Sequence, residues 1–348
     1  MKFNNVCLEA LGYELPPKIV TSGDLEDKLA PLYDRLNLNK GRLEMMTGIR
    51  ERRFWENGIR PSGAAIKAGE KAIEASGIEK EKFGAIFHAS VCRDFLEPAT
   101  ANVVHHMLGL PPGAMVFDIS NACLGVLNSI IILGNMIELG QVEAGVIVAG
   151  EMGETLVKTT IEALLADENA TRQSIKPAFA SLTIGSGAAA VVLAHKNISR
   201  TGHKIVGGVV RCATEKNHLC TSDRDIGIGK NSQPLMATDS EELLKEGCAL
   251  AAKTWVEFKR ELDWENEKIG RTFTHQVGSA HRKLLYESLG LPIENDFSTH
   301  EFLGNVGSVS LPLTLALGAE EGLLSTGDKV ALLGIGSGLN CLMLGLEW

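Results

Sequence analysis

Asp118-Ile119-Ser120-Asn121-Ala122-Cys123-Leu124-Gly125 stands between two apolar segments. Ahead of it, Val116 to Ile119 reads as a buried strand. Behind it, Leu124 to Leu139 reads as a helix that is hydrophobic on nearly every face. Cys123 therefore falls at a strand-to-helix turn, at the N-terminal end of a buried helix. Unpaired backbone N–H groups and the positive dipole end favour a thiolate there. The same N–H groups can hold an oxyanion. From this stretch alone, a nucleophile and a small turn-forming bystander fit equally well.

The surrounding composition narrows the choice. A chain of 348 residues suffices for two domains or one duplicated domain. Hydrophobic residues are 45% and charged residues 22%, a globular balance. A net charge of −9 without a basic cluster argues against a nucleic-acid surface. The N-terminus shows no signal-peptide core, and no apolar run reaches the roughly 18 residues of a membrane span. The seven cysteines are scattered without CxxC spacing, which suits reduced thiols in a cytoplasm. That scatter speaks against a metal site. His105 and His106 are adjacent on a helix, so they face different ways and suit surface or packing roles.

Taken in order, Ser22-Gly23-Asp24 caps an amphipathic helix expected to run through Leu36. Thr47-Gly48-Ile49-Arg50-Glu51-Arg52-Arg53 is a basic turn, and Pro61 to Ser76 is helical. Phe83 to Ser90 reads as a strand, Thr100 to Leu108 as a helix and Ala144 to Gly150 as a strand. Leu156, Val157, Thr160, Ile161, Leu164 and Leu165 recur at helical spacing within a less regular insertion at 152–180. Leu182 to Leu193 reads as a glycine-interrupted buried strand. Its Gly-Ser-Gly lacks the lysine of a phosphate loop.

The two halves repeat one another. Leu108-Gly109-Leu110-Pro111 and Leu289-Gly290-Leu291-Pro292 each end a helix. Cys123 follows Gly109 by 14 residues (123 − 109), and Asn305 follows Gly290 by 15 (305 − 290). Both precede a long apolar helix and then a strand. Cys123 and Asn305 thus occupy equivalent turns of a duplicated βαβ-rich unit. Ala85 to Ser90 matches Thr272 to His275, which puts His275 at the loop end of a strand. The boundary expected between the halves is 1–196 and 197–348. A pseudo-twofold pairing would bring Cys123, His275 and Asn305 to one interface.

These motifs, with His275-Gln276, Gly304-Asn305-Val306-Gly307-Ser308 and the closing Gly334-Ile335-Gly336-Ser337-Gly338, resemble the thiolase superfamily over essentially the whole chain. Within it the chain is similar to the ketoacyl-ACP synthase III branch. The resemblance implies a five-layer α-β-α-β-α thiolase fold and a Cys123–His275–Asn305 triad. It also implies an oxyanion hole from the backbone of Cys123 and of the glycine-rich turn near Ser337, with no cofactor and no metal. A thiolate that can carry an acyl group, with donors for the thioester oxygen, suits carbon–carbon bond formation between two thioesters.

Arg93-Asp94-Phe95-Leu96-Glu97-Pro98 is similar to the OleA-type condensing enzymes of bacterial long-chain olefin synthesis. There the corresponding glutamate acts as a base in the partner's site, which implies a homodimer. A malonyl substrate loses CO₂ and needs no base, whereas a plain acyl-CoA must lose an α proton. A loop acid beside a proline could equally be a solvated charge. His275-Gln276 continues with Val277-Gly278 where the branch has Ala-Asn, and no tryptophan stands near Arg42 to stack on CoA adenine. A place near CoA phosphates is open to His281, Arg282 or Lys283. The reading is a cytoplasmic acyltransferase that condenses two fatty acyl-CoAs to a β-keto acid. The alternatives are a decarboxylating synthase using malonyl-ACP and a catalytically silent acyl-binding subunit.

Overall fold

The computed structural model describes residues 1–222 and 235–348. The strands are β1 (Val6–Glu14), β2 (Lys18–Thr21), β3 (Glu51–Phe54), β4 (Phe83–His88), β5 (Met115–Asp118), β6 (Ala144–Glu151), β7 (Gly187–His195), β8 (Lys204–Cys212), β9 (Cys220–Ser222), β10 (Met236–Thr238), β11 (Arg271–Thr274), β12 (Lys329–Gly336) and β13 (Asn340–Glu347). The helices are α1 (Ser22–Lys28), α2 (Ala30–Leu36), α3 (Arg42–Thr47), α4 (Pro61–Ser76), α5 (Thr100–Leu108), α6 (Gly125–Glu138), α7 (Glu154–Ala166), α8 (Ser240–Leu262), α9 (Ser279–Leu289), α10 (His300–Leu303) and α11 (Ser310–Glu320).

The strand pairings carry the duplication. β1 pairs antiparallel with β7, β7 antiparallel with β6, and β6 parallel with β4. In the second half β8 pairs antiparallel with β13, β13 antiparallel with β12, and β12 parallel with β11. β5 lies parallel to β4, and its counterpart is a single parallel bridge between Thr272 and Asp296. A contact of β1 with β8 at Cys7 and Lys204 joins the two half-sheets.

Alternation along the strands sorts the layers. Phe83, Ile86, Val146 and Val148 pack against α4 and α5. Their neighbours Ala85, Phe87, Ile147 and Ala149 face α6. In the second half Val330 and Leu332 face the same central core, whereas Ala331 and Leu333 face α8 and α9. The layers are therefore α4/α5, half-sheet, α6/α11, half-sheet, α8/α9, an α/β thiolase fold of five layers. Among the described residues no helix is long and apolar enough to cross a membrane.

Several expectations change. The helix from Ser22 to Leu36 is two helices, broken at Leu29 just before Pro31; Pro31 lacks the N–H that a continuous helix would use. The strand before Cys123 is the half-exposed edge β5, not a buried strand, because β4 covers one side alone. The segment expected to start a strand at Leu182 becomes strand at Gly187. Residues ahead of that point hold another turn: Asn305 N–H donates to Thr183 O at 2.9 Å, and Gly185 N–H donates to Asn305 O at 2.8 Å. The 152–180 segment contains α7, whose Val157, Ile161 and Leu164 join Leu25, Leu29 and Leu32 in a separate small core.

Gly125 opens α6 where β4 ends. A Cβ there would lie 2.4 Å from the Ala89 carbonyl oxygen. Gly125→Ala should therefore push the first turn of α6 off β4 and cost roughly 1–3 kcal/mol, as overpacking does. Urea unfolding would register this as a lower midpoint at an unchanged slope. A midpoint equal to that of the parent would contradict it.

Candidate active site

The site lies where the carboxyl ends of the parallel strands meet. β5 runs into Ser120-Asn121-Ala122-Cys123, and the chain then turns into α6. Leu124 N–H donates to Asn121 O at 2.9 Å, and the Asn121 side chain donates to Asn128 Oδ1 at 2.8 Å. Ala122 adopts a left-handed φ of 45°. A side chain rarely adopts that conformation, and it lifts Cys123 onto the tip of a sharp turn. Across the seam, β12 offers glycine where a side chain would collide. A Cβ on Gly334 would meet Leu124 and Leu127 at 2.5 Å, and one on Gly336 would lie 3.7 Å from the Cys123 nitrogen. The turn at Ser337 that follows Gly336 is thus brought beside Cys123.

His275 directly follows β11 and is buried. Its N–H donates to Leu333 O of β12 at 3.0 Å, which ties it to the strand that meets Cys123. Nδ1 is buried without a hydrogen-bond partner among the described residues. Burial, with a smaller push from His281, takes the imidazole down to about 3, so it is neutral at physiological pH. His281, on α9, is lowered to about 4 by burial and then by His300.

Asn305 sits in the turn leading to α11. Its Oδ1 accepts from Gly307 N–H at 3.0 Å. That bond fixes the amide orientation and turns the NH₂ away from Gly307 as a donor. Glu97 is exposed, on the loop between β4 and α5. The loop is held on both sides. Val91 and Cys92 N–H donate to Glu151, and Asp94 accepts from Ser62 N–H at 2.9 Å and Ser62 Oγ at 2.6 Å. Phe95, Leu96 and Glu97 are left projecting, the first two with more than 40% of their surface exposed at 44% and 47%.

The sulfur departs from expectation. The helix end was read as favouring a thiolate. Burial raises the Cys123 thiol instead, and the Glu151 charge and Cys220 raise it further, to about 12; its own backbone N–H opposes this only weakly. In a dry pocket desolvation outweighs the dipole end. Glu151 was not singled out from the sequence. An acid closing the apolar run of Gly145-Val146-Ile147-Val148-Ala149-Gly150 at a strand's carboxyl end was the available signal. Arg282 Nε pairs at 2.5 Å with buried Asp296, which anchors its guanidinium at the start of α9. His105 bonds the Pro111 carbonyl at 3.1 Å, a packing role. Cys92 exchanges weak bonds with Met152.

The family described as 3-Oxoacyl-[acyl-carrier-protein (ACP)] synthase III C terminal matches residues 260–348. An acyl-CoA:acyl-CoA alkyltransferase of Shewanella oneidensis is 43% identical over the full length of both chains. One of Xanthomonas campestris is 36% identical, again over the full length of both. The cerulenin-bound crystal structure of OleA from Xanthomonas campestris superposes with a TM-score of 0.94 at 36% identity, covering 100% of this chain and 98% of that one. The acetamide-bound form gives 0.91 at 35% identity over all of both chains.

Two pH effects follow from these environments. Because the thiolate is rare below the raised pKa, iodoacetamide labelling of Cys123 should climb about tenfold per pH unit from neutral to beyond pH 10. Peptide mass spectrometry reads this, and a plateau below pH 9 would show an acidic thiol instead. His88 is also buried and lowered to about 4, chiefly by desolvation. For His88 and His275 the folded pKa is depressed, so below 6.5 the unfolded chain binds protons first. Stability is full above 6.5 and lost as pH falls toward 4 and 3, by about 1.4 kcal/mol per pH unit for each histidine. Urea midpoints between pH 7.5 and 4.5 should show this slope, and His88→Gln should reduce it. Flat midpoints would count against buried neutral rings.

Proposed function

The chain belongs to the acyl-CoA:acyl-CoA alkyltransferase family of thiolase-fold acyltransferases, and from that membership we propose that it condenses two fatty acyl-CoAs without loss of CO₂. The observation that carries this reading is Glu97. A carboxylate is presented outward at the tip of a loop pinned at Ser62 and Glu151, beside exposed Phe95 and Leu96. Such a group, reaching a second copy of the chain, supplies the base that a non-malonyl substrate requires. The chain then acts as a homodimer. The cytoplasm is the proposed location.

The steps follow from the groups present. The Cys123 sulfur bonds to the carbonyl carbon of the first acyl-CoA. The bond to CoA sulfur breaks, and the thiol proton leaves with CoA. The tetrahedral oxyanion is held by the backbone N–H groups of Cys123 and Ser337. The partner's Glu97 takes an α proton from the second acyl-CoA. Neutral His275 and the Asn305 NH₂ donate to the enolate oxygen that forms. The enolate carbon attacks the acyl-Cys123 carbonyl, and the sulfur departs and regains a proton. Water then cleaves the β-ketoacyl-CoA to a β-keto acid and CoA.

Myristoyl-CoA as sole substrate tests the reading. Release of free CoA together with a β-keto acid or its ketone breakdown product is expected. An absolute requirement for malonyl-ACP would favour the decarboxylating synthase. Cys123→Ala should abolish the acyl adduct seen by mass spectrometry. Glu97→Ala should keep that adduct while product formation falls by about 10²-fold or more. Lack of any adduct on the parent protein would favour a catalytically silent subunit.

A further inference from the structure

Glu151 closes β6 and is 4% exposed. Its carboxylate accepts four hydrogen bonds, all from neutral donors. Val91 N–H (2.9 Å), Ser308 N–H (3.2 Å) and Ser308 Oγ (2.8 Å) reach Oε1, and Cys92 N–H (3.2 Å) reaches Oε2. The four donors come from two segments. Val91 and Cys92 begin the loop that ends in Glu97. Ser308 belongs to the turn that carries Asn305. Gly307 lies between them in space: a Cβ on it would sit 3.0 Å from Glu151 Oε1, and its N–H orients the Asn305 amide. The backbone of Glu151 is itself fixed, since its carbonyl accepts from Trp55 Nε1 at 3.1 Å.

We infer that Glu151 is a positioning residue for enolate formation, one carboxylate that sets both the Asn305 turn and the root of the Glu97 loop. A carboxylate can accept from all four donors at once, whereas a group that carries its own N–H or O–H cannot. A neutral amide keeps one acceptor oxygen but sets an N–H against one of these donors, which disturbs the packing between the two segments. The inference rests on the proposed roles of Asn305 and Glu97. It adds that the two are mechanically linked within a subunit, although they serve different sites of a dimer. The cost of the arrangement falls on Cys123, whose thiol the same charge pushes up.

Positioning and folding separate by step. In the Cys123→Ala background, exchange of the α hydrogens of myristoyl-CoA with D₂O reports enolate formation. In the parent background, acyl-Cys123 accumulation reports the first half-reaction. Glu151→Gln should slow exchange on the order of tenfold to a hundredfold, the penalty of small misplacement. It should leave the final stoichiometry of acylation intact and should not slow acylation. It should also speed iodoacetamide labelling of Cys123 at pH 8, a charge effect that loss of packing does not produce. Ser308→Ala keeps the charge and removes one donor, so it should slow exchange less and leave labelling unchanged.

Exchange at the parent rate in Glu151→Gln overturns the inference. So does a fall in acylation stoichiometry equal to the fall in exchange, which marks a purely structural role. If Glu151→Gln does not fold, parent-rate exchange in Ser308→Ala overturns it. The Glu97 assignment is judged separately. Normal exchange in Glu97→Ala removes the base, while the response of Glu151→Gln still decides the positioning role through Asn305.

Discussion

The packing of the first turn of α6 against bare backbone on β12 is the contact on which the site depends. Leu124 and Leu127 fill the space that side chains at Gly334 and Gly336 would occupy. This close approach carries the Cys123 nitrogen up to the glycine-rich turn of the other half. It packs the start of α6 in the first half against β12 in the second. His275 shares the arrangement through its bond to Leu333 on the same strand. Neither half can form this site alone, because the nucleophile belongs to one and the imidazole and amide belong to the other.

Among the described residues, the titratable groups of the pocket are mostly held neutral. Two of its histidines are held neutral by burial and the thiol is held protonated. The fixed charge is Glu151, and it is surrounded by dipoles. In such a medium a developing oxyanion meets oriented N–H groups and little competing solvent. A resting thiolate has no comparable support.

The parts of this that were legible in the sequence are those governed by local pattern. Gly109 and Gly290 end their helices in left-handed conformations, as their positions after Leu108 and Leu289 suggested. α4 and α5 have the expected bounds, and the five-layer fold followed from the motifs of the two halves. Cys123 and His275 do follow strands, while Asn305 follows the short helix α10 and precedes the turn into α11. What escaped was mostly tertiary. The break at Leu29 had a local signal in Pro31 that the amphipathic pattern masked, whereas the exposure of β5 depends on sheet order. The role of Glu151 depends on donors from residues 91, 92 and 308, far apart in the chain. The thiol's ionisation depends on how dry the pocket is, which a motif does not encode.

The seam between α6 and β12 also bears on synthesis. Cys123 emerges from the ribosome long before Gly334 and Gly336. Until those glycines arrive, the turn at Cys123 lacks the strand it packs against and the glycine-rich turn of the other half. A growing chain therefore holds Cys123 without the groups that the other half supplies. Completion of the polypeptide itself switches the chemistry on.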